Sequence, residues 1–454
     1  MLEAIGVASI EDLFAAVPEG LRLGRPLDLP EGKPEQDVYG YLRDLAARNV
    51  SAEDELSFLG AGMYDHYVPA LVDSIITRSE FLTPYTPYQP EVSQGGLQVM
   101  FEYQTMISEL TGLPVSNASV YEGPSALAAA AYLAKLANGR PRFVVSRGVH
   151  PHSRETLETT SAGWGTTVDE LPLAGGVTDA DALQEAIGDD VSAVFLAQPN
   201  FLGAVEDLAA LAPLAKATGA LLVVQVDPMT LGVLRPPGEF GVDVAVGEGQ
   251  PLGNRLDYGG PSFGFFAASE TYLRRMPGRI AGETTDADGR RGFVLTLQTR
   301  EQHIRREKAT SNICTAQALN ALAGTVYLSW LGKQGYADLG ELLLRRTHYA
   351  RQALAAIDGV ELLHDAPVVR EFAVRLDAPV ERVIERCWER GVNPGYPLAR
   401  EYPEYSDGLL VAITEQRSRE DIDRLAGALG AAVAAERRGE AGGEASGRDR
   451  KVTA

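Results

Sequence analysis

Lysine is scarce in this chain: six of its 41 basic residues are lysine, and none lies between Ala217 and Glu307. A stretch without a primary amine cannot hold an aldehyde as a Schiff base, because only a primary amine forms that imine. Cysteine is rarer still. Cys314 and Cys387 are too few for a disulfide framework or a cysteine metal cage, so both read as thiols of a reducing cytosol and no metal site is expected. No apolar run approaches the roughly 20 residues that span a bilayer. The start, Met1 to Ala4, lacks the basic-then-apolar order of a secretory signal. Positive charge is also short, since a net charge of −21 argues against nucleic acid or an anionic membrane as partner. A cytoplasmic protein is the expectation.

What is present is globular material, 45% hydrophobic over 454 residues, enough for a large domain and a smaller one. Residues 1–80 read as a helical and extended segment, with amphipathic stretches at Ile10–Val17 and Leu42–Asn49. Three prolines in Phe81–Pro90 forbid helix and favour extended chain. A helix is expected over Gly96–Leu110, and an Ala-rich one over Ser125–Leu136. Runs at Arg142–Ser146, Val191–Ala197, Leu221–Val226, Asp243–Val246 and Phe263–Ala267 alternate with helical patterns. That alternation implies βαβ units and a mostly parallel sheet buried on both faces. Residues 81–315 therefore form a large α/β domain. Residues 316–436 follow as a linking helix (Thr315–Leu331) and a small α+β domain with a strand at Glu371–Leu376. Residues 437–454 read as a polar, disordered tail.

Asp227 ends the apolar strand Leu221–Val226, at the carboxyl end where open α/β sheets bind ligands. A carboxylate there can pair with a pyridinium nitrogen, or simply cap the turn before Pro228. The helix opened by Gly123-Pro-Ser125 offers an anion site at its N-terminus, although Pro124 removes one donor. The proline-stiffened run Tyr85-Thr-Pro-Tyr-Gln-Pro-Glu-Val-Ser-Gln-Gly95 suits a segment that reaches into a site or interface. Arg300-Glu-Gln-His-Ile-Arg-Arg-Glu-Lys-Ala-Thr-Ser-Asn-Ile-Cys-Thr315 places four cations ahead of Thr310, Ser311 and Asn312. It reads equally as an anion site or as a solvated face with a cap.

These last two segments, with Gln198-Pro-Asn-Phe-Leu-Gly203, Pro236-Pro-Gly-Glu-Phe-Gly241, Val246-Gly-Glu-Gly-Gln250, Met276-Pro-Gly-Arg279 and Arg290-Arg-Gly-Phe-Val-Leu-Thr-Leu-Gln298, carry a resemblance. Over most of residues 1–435 the chain resembles subunit 1 (the α, or N-terminal, subunit) of glycine dehydrogenase (decarboxylating), the P-protein of the glycine cleavage system. The resemblance implies the fold type I architecture of pyridoxal-phosphate (PLP) aminotransferases. It implies decarboxylation of glycine with PLP and transfer of the aminomethyl group to the lipoyl arm of H-protein. It also implies a second subunit that carries the PLP lysine, in a heterodimer paired as α2β2. No residue of this chain would then be covalently catalytic. In such folds the lysine follows the strand at Asp243–Val246, where this chain has Glu248 and Gln250. Asp227, Glu248 and His150, an imidazole where one often stacks on the cofactor ring, become vestigial pocket positions. The wall of the shared site is expected from Thr86, Tyr88, Gln89, Glu91, Ser93, Gln94, Arg305, Arg306, Lys308, Thr310, Ser311 and Asn312. Two rival readings are a purely structural scaffold partner and a self-contained PLP amino-acid decarboxylase.

Overall fold

A computed structural model describes residues 1–439. Met1–Ser51 and the described residues from Ala52 onward belong to separate compact units. The first holds the short helix Leu2–Ile5, the 3-10 turns Glu11–Phe14 and Glu19–Leu21 and the helix Glu35–Ala46, and it buries none of its residues. Helix was expected over Ile10–Val17. Four residues of 3-10 turn form instead, because so short a stretch has no packed face to offset the cost of nucleation. The second helix starts earlier than its apolar pattern suggests, since Pro34 sits at its N-cap and Glu35 and Asp37 suit its positive end.

The second unit is built on a seven-stranded sheet. In chain order its strands are β1 (Val115–Ser116), β2 (Arg142–Ser146), β3 (Thr167–Leu171), β4 (Val191–Gln198), β5 (Leu221–Val226), β6 (Val244–Glu248) and β7 (Gly264–Ala268). Their spatial order is β1-β7-β6-β5-β4-β2-β3. β3, β2, β4, β5 and β6 are parallel, while β7 runs antiparallel to both β6 and β1. Every residue of β4 is buried, as helices on both faces require. On one face the small side chains of Gly123–Asn138 let that helix lie close to the sheet, and Gly139, at φ 71°, ends it. The five expected strands form. The apolar pattern missed two: β1, only two residues long, and β3, an edge strand whose residues are mostly exposed. A hairpin, Ile280–Thr285 with Arg291–Thr296, also has no apolar run to announce it.

The linking helix expected over Thr315–Leu331 runs from Ala318 to Ala355, kinked at Gly332. Its first part packs into the core of the large sheet, and Ala350 and Leu354 join the smaller core. That smaller core lies under an antiparallel sheet ordered Val360–Leu362, Glu371–Leu376, Gly408–Ala412, Tyr396–Pro397. Helices Val380–Trp388 and Arg419–Arg437 cover it, the second opened by a Ser418/Asp421 capping box. Residues 440–454, most of the expected tail, lie outside the described residues.

Candidate functional site

The carboxyl ends of β4, β5 and β6 open into a cavity of about 80 Å³ lined by His150, Asp227, Glu248, Tyr64, Arg370 and Glu371 among others. The three positions read from the sequence as pocket remnants, His150, Asp227 and Glu248, thus come together. What the sequence did not reveal is how the cavity is filled. A segment running from Gly60 to Tyr67 enters it and is pinned from both sides. Ala61 N donates to Glu371 Oε1 (2.8 Å), Tyr64 N to Gln250 Oε1 (3.0 Å) and Tyr67 N to Glu415 Oε1 (2.8 Å). Arg417 pairs with Asp65. The path leaves no room for side chains at the glycines: a Cβ on Gly60 would lie 2.2 Å from Glu371 Oε1, and one on Gly62 would lie 2.6 Å from His150 Nε2.

Charge is closed off within the cavity as well. Arg370, 2% exposed, donates through Nε to Asp227 Oδ2 (2.5 Å) and through Nη1 to His66 Nε2 (2.5 Å). An arginine only donates, so His66 Nε2 is the acceptor and the ring proton sits on Nδ1, facing Glu415 Oε2 at 2.6 Å. The guanidinium lies 3.4 Å from the centre of the Tyr64 ring. The Tyr64 hydroxyl donates to Glu371 Oε2 (2.7 Å), and burial pushes the Glu371 carboxyl up to about 7. His150 caps helix Pro151–Trp164, and its Nε2 lies 2.9 Å from the Ala61 carbonyl. Enclosure pulls that imidazole down to about 4.

The PLP that the fold suggests can be tested against these residues, and they do not fit it. Glu248 and Gln250, in the loop where the resemblance expects the lysine, carry no amine, and the Gln250 Nε2 donates to the Tyr64 and Asn254 carbonyls (3.1 and 2.8 Å). Asp227 is taken by Arg370. The helix N-terminus that would meet a phosphate is occupied by two carboxylates: Glu248 accepts from Gly123 N (3.0 Å) and Glu122 from Ser125 N (3.2 Å). Burial raises the Glu248 pKa, against bonds from Ser262, Gly123 and Gln250 that favour its charge. The remaining volume has room for a few waters and not for a phosphorylated pyridine.

A second locus gathers the two segments read as a wall. Arg279, 5% exposed, forms an ion pair with Glu301, donates to Tyr88 Oη (2.7 Å) and to the Cys314 carbonyl (2.8 Å), and lies over the Tyr88 ring. Tyr88 Oη also reaches Glu301 Oε2 (3.3 Å), and Tyr85 Oη lies 3.1 Å from Thr315 Oγ1. Gln94 pairs its amide with both the N–H and the carbonyl of Phe293, which fixes it to the hairpin. Tyr88 and Gln94 are therefore tied down, and Ser311 Oγ accepts from Ile313 N (3.1 Å). Thr86, Gln89, Glu91, Ser93, Arg305, Arg306, Lys308, Thr310 and Asn312 have no side-chain partner among the described residues. Arg306, Thr310, Ser311 and Asn312 line a groove of about 550 Å³ beside Tyr121 and Trp164. The anchoring residues Arg279 and Glu301 both belong to stretches that carried the resemblance, so that signal pointed to them. Tyr64, His66 and Arg370 lie in no such stretch.

No helix among the described residues is long and apolar enough to cross a membrane, and no group of three or more His, Cys, Asp or Glu among them is placed to hold a metal. Fold and site together define a large domain of the PLP-dependent type whose cofactor pocket is closed from within. Residues 1–429 match the model of the glycine cleavage system P-protein, and the chain belongs to that family. It is 50% identical over 430 residues to the probable glycine dehydrogenase (decarboxylating) subunit 1 of Geobacillus kaustophilus (strain HTA426), covering 95% of this chain and 96% of that one. It also resembles the crystal structure of glycine decarboxylase (P-protein) of the glycine cleavage system in inhibitor-bound form, with a TM-score of 0.88, 46% identity, and 95% and 97% coverage. A Burkholderia pseudomallei sphingosine-1-phosphate lyase at 17% identity and TM-score 0.65 shares the fold alone.

Proposed function

We propose that this chain is subunit 1 of a two-subunit glycine dehydrogenase (decarboxylating). Its partner, subunit 2, carries the PLP lysine, and the two pair in an α2β2 complex in the cytoplasm. The observation that carries this reading is the self-filled cavity. A chain that blocks its own phosphate, ring-nitrogen and amine positions, yet keeps the fold, is suited to complete a site in another chain. PLP, when bound by the partner, supplies the electron sink for loss of CO2 from glycine, and lipoylated H-protein takes up the aminomethyl group. This chain's part is to orient and enclose. Arg279 and Glu301 hold Tyr88 in place, while Thr86, Gln89, Glu91 and Ser93, which have no side-chain partner among the described residues, are available to the shared site. Arg305, Arg306, Lys308, Thr310, Ser311 and Asn312 complete the wall from the facing loop. Substituting Tyr88→Phe and Glu91→Gln tests this in the reconstituted enzyme. Glycine–bicarbonate carbon exchange falls at least about tenfold while the complex still assembles, the range expected when a positioned polar group is removed. Unchanged exchange in both variants would leave the chain as a scaffold only.

A further inference from the structure

A smaller cavity, about 190 Å³, lies where the turn Glu270–Arg275, the 3-10 turn Gln298–Arg300 and the loop after helix Gln302–Arg305 meet. Arg274, Arg300, Arg305 and Lys308 line it with Thr299, Thr310 and Leu297, and no acidic residue does. That is anomalous in a chain with 62 acidic and 41 basic residues. Of the two acids adjacent in sequence to these cations, Glu301 is engaged by Arg279, and Glu307 lines the neighbouring groove instead. Arg306, at φ 53° and ψ −126°, reverses the chain between Arg305 and Lys308, and a non-glycine residue adopts that conformation only at a cost.

Arg300 differs from the other three cations. Its guanidinium is committed to the Met276, Gly278 and Leu297 carbonyls, so it acts as a fixed charge at the back of the cavity. Burial and the neighbouring Arg279 draw its pKa down to about 10, against the pull of Glu301. Arg274, Arg305, Lys308, Thr299 and Thr310 make no side-chain hydrogen bond or ion pair among the described residues. Free donors therefore ring a fixed positive charge.

We infer that this cavity is an anion site for a phosphate-class dianion, a tetrahedral oxyanion that is either free or the ester of a small molecule. A carboxylate carries one charge and two oxygens, and would leave most of these donors and charges unmatched; a tetrahedral dianion presents more acceptors to guanidinium, ammonium and hydroxyl groups. The site is independent of the helix N-terminus at Gly123, where the protein's own carboxylates take the donors. Arg305, Lys308 and Thr310 also belong to the wall proposed above, but the anion is sought on this chain alone, so the result does not hang on whether that wall reading holds.

The test is isothermal titration of the full chain, at low ionic strength, with inorganic phosphate, sulfate, methyl phosphate and acetate. One saturable site is expected for phosphate and sulfate, with acetate at least about tenfold weaker. Methyl phosphate binding as well as phosphate marks an ester site; binding only of the inorganic ions marks a free-anion site, and both support the inference. Arg305→Gln and Lys308→Gln each weaken phosphate by about tenfold, Arg305→Lys by less. Both positions are exposed, so circular dichroism remains as in the parent. Lys333→Gln, which removes an exposed cation elsewhere, changes nothing. The inference is overturned by acetate binding as tightly as phosphate, by Lys333→Gln weakening phosphate as much as Lys308→Gln, or by no saturable heat at all.

Discussion

Replacing Arg370 by methionine removes the cation at the centre of the closed cavity while keeping a side chain of similar length. Asp227, whose side chain is 18% exposed in the parent, then keeps the Met229 N–H at 3.1 Å as its remaining donor. His66 loses the donor to its Nε2, and Tyr64 loses the charge over its ring. Breaking a buried pair from one side costs about 3–5 kcal/mol, because an uncompensated charge stays behind. A typical domain has only about 5–15 kcal/mol in total, so the single variant unfolds at a much lower urea concentration. Asp227→Asn strands the arginine and is costly for the same reason. The double variant Asp227→Asn/Arg370→Met has no stranded charge and recovers to within about 2 kcal/mol of the parent. The assay is urea unfolding followed by far-UV circular dichroism, with the four proteins forming a double-mutant cycle. Single losses below about 1 kcal/mol, or losses that simply add, would refute a buried Arg370–Asp227 pair as the feature that closes the cavity.

The buried Glu371 gives a pH signature. Its pKa rises from 4.5 to about 7 on folding, so the stabilisation is complete below about pH 4.5 and is lost as pH rises through 7. The loss is of order 3 kcal/mol, and Glu371→Gln flattens it; equal pH slopes in the two proteins contradict the assignment. Gly62→Ala places a Cβ 2.6 Å from His150 Nε2 at φ 104°, and is expected to cost more than about 2 kcal/mol in the same unfolding assay. Gln250→Lys puts an amine into the loop where the resemblance expects the lysine and still gives no visible PLP absorption, since Glu122, Glu248 and Arg370 continue to occupy the rest of the pocket. A PLP band in that variant would show that the lysine alone was missing.

Periodicity and β-branched runs made the sheet legible because its strands are buried on both faces, and an apolar run is all that such burial demands. β3 and the Ile280–Thr296 hairpin were not legible, since exposed edges place no such demand on composition. The site divides in the same way. Asp227 and Glu248 follow apolar strands, so their place at the sheet's carboxyl end is readable from local pattern. The residues that close the cavity are not. Tyr64 and His66 lie on an irregular segment, and Arg370 just precedes the strand Glu371–Leu376; they meet Asp227 across 163, 161 and 143 residues of chain respectively. No local rule connects buried charges brought together from such distances. The lysine gap announced that the cofactor chemistry was missing, but only the structure shows that the cavity is filled rather than empty.

A cofactor held by the partner, beside a pocket that this chain shuts itself, leaves a covalent trace. Reconstituting the chain with subunit 2 and PLP, reducing with borohydride and mapping the pyridoxyl mass by peptide analysis tests it directly. The adduct is expected on one lysine of subunit 2 and on none of the six lysines of this chain. A stoichiometric adduct on Lys216 or Lys308, formed by this chain alone, would contradict it.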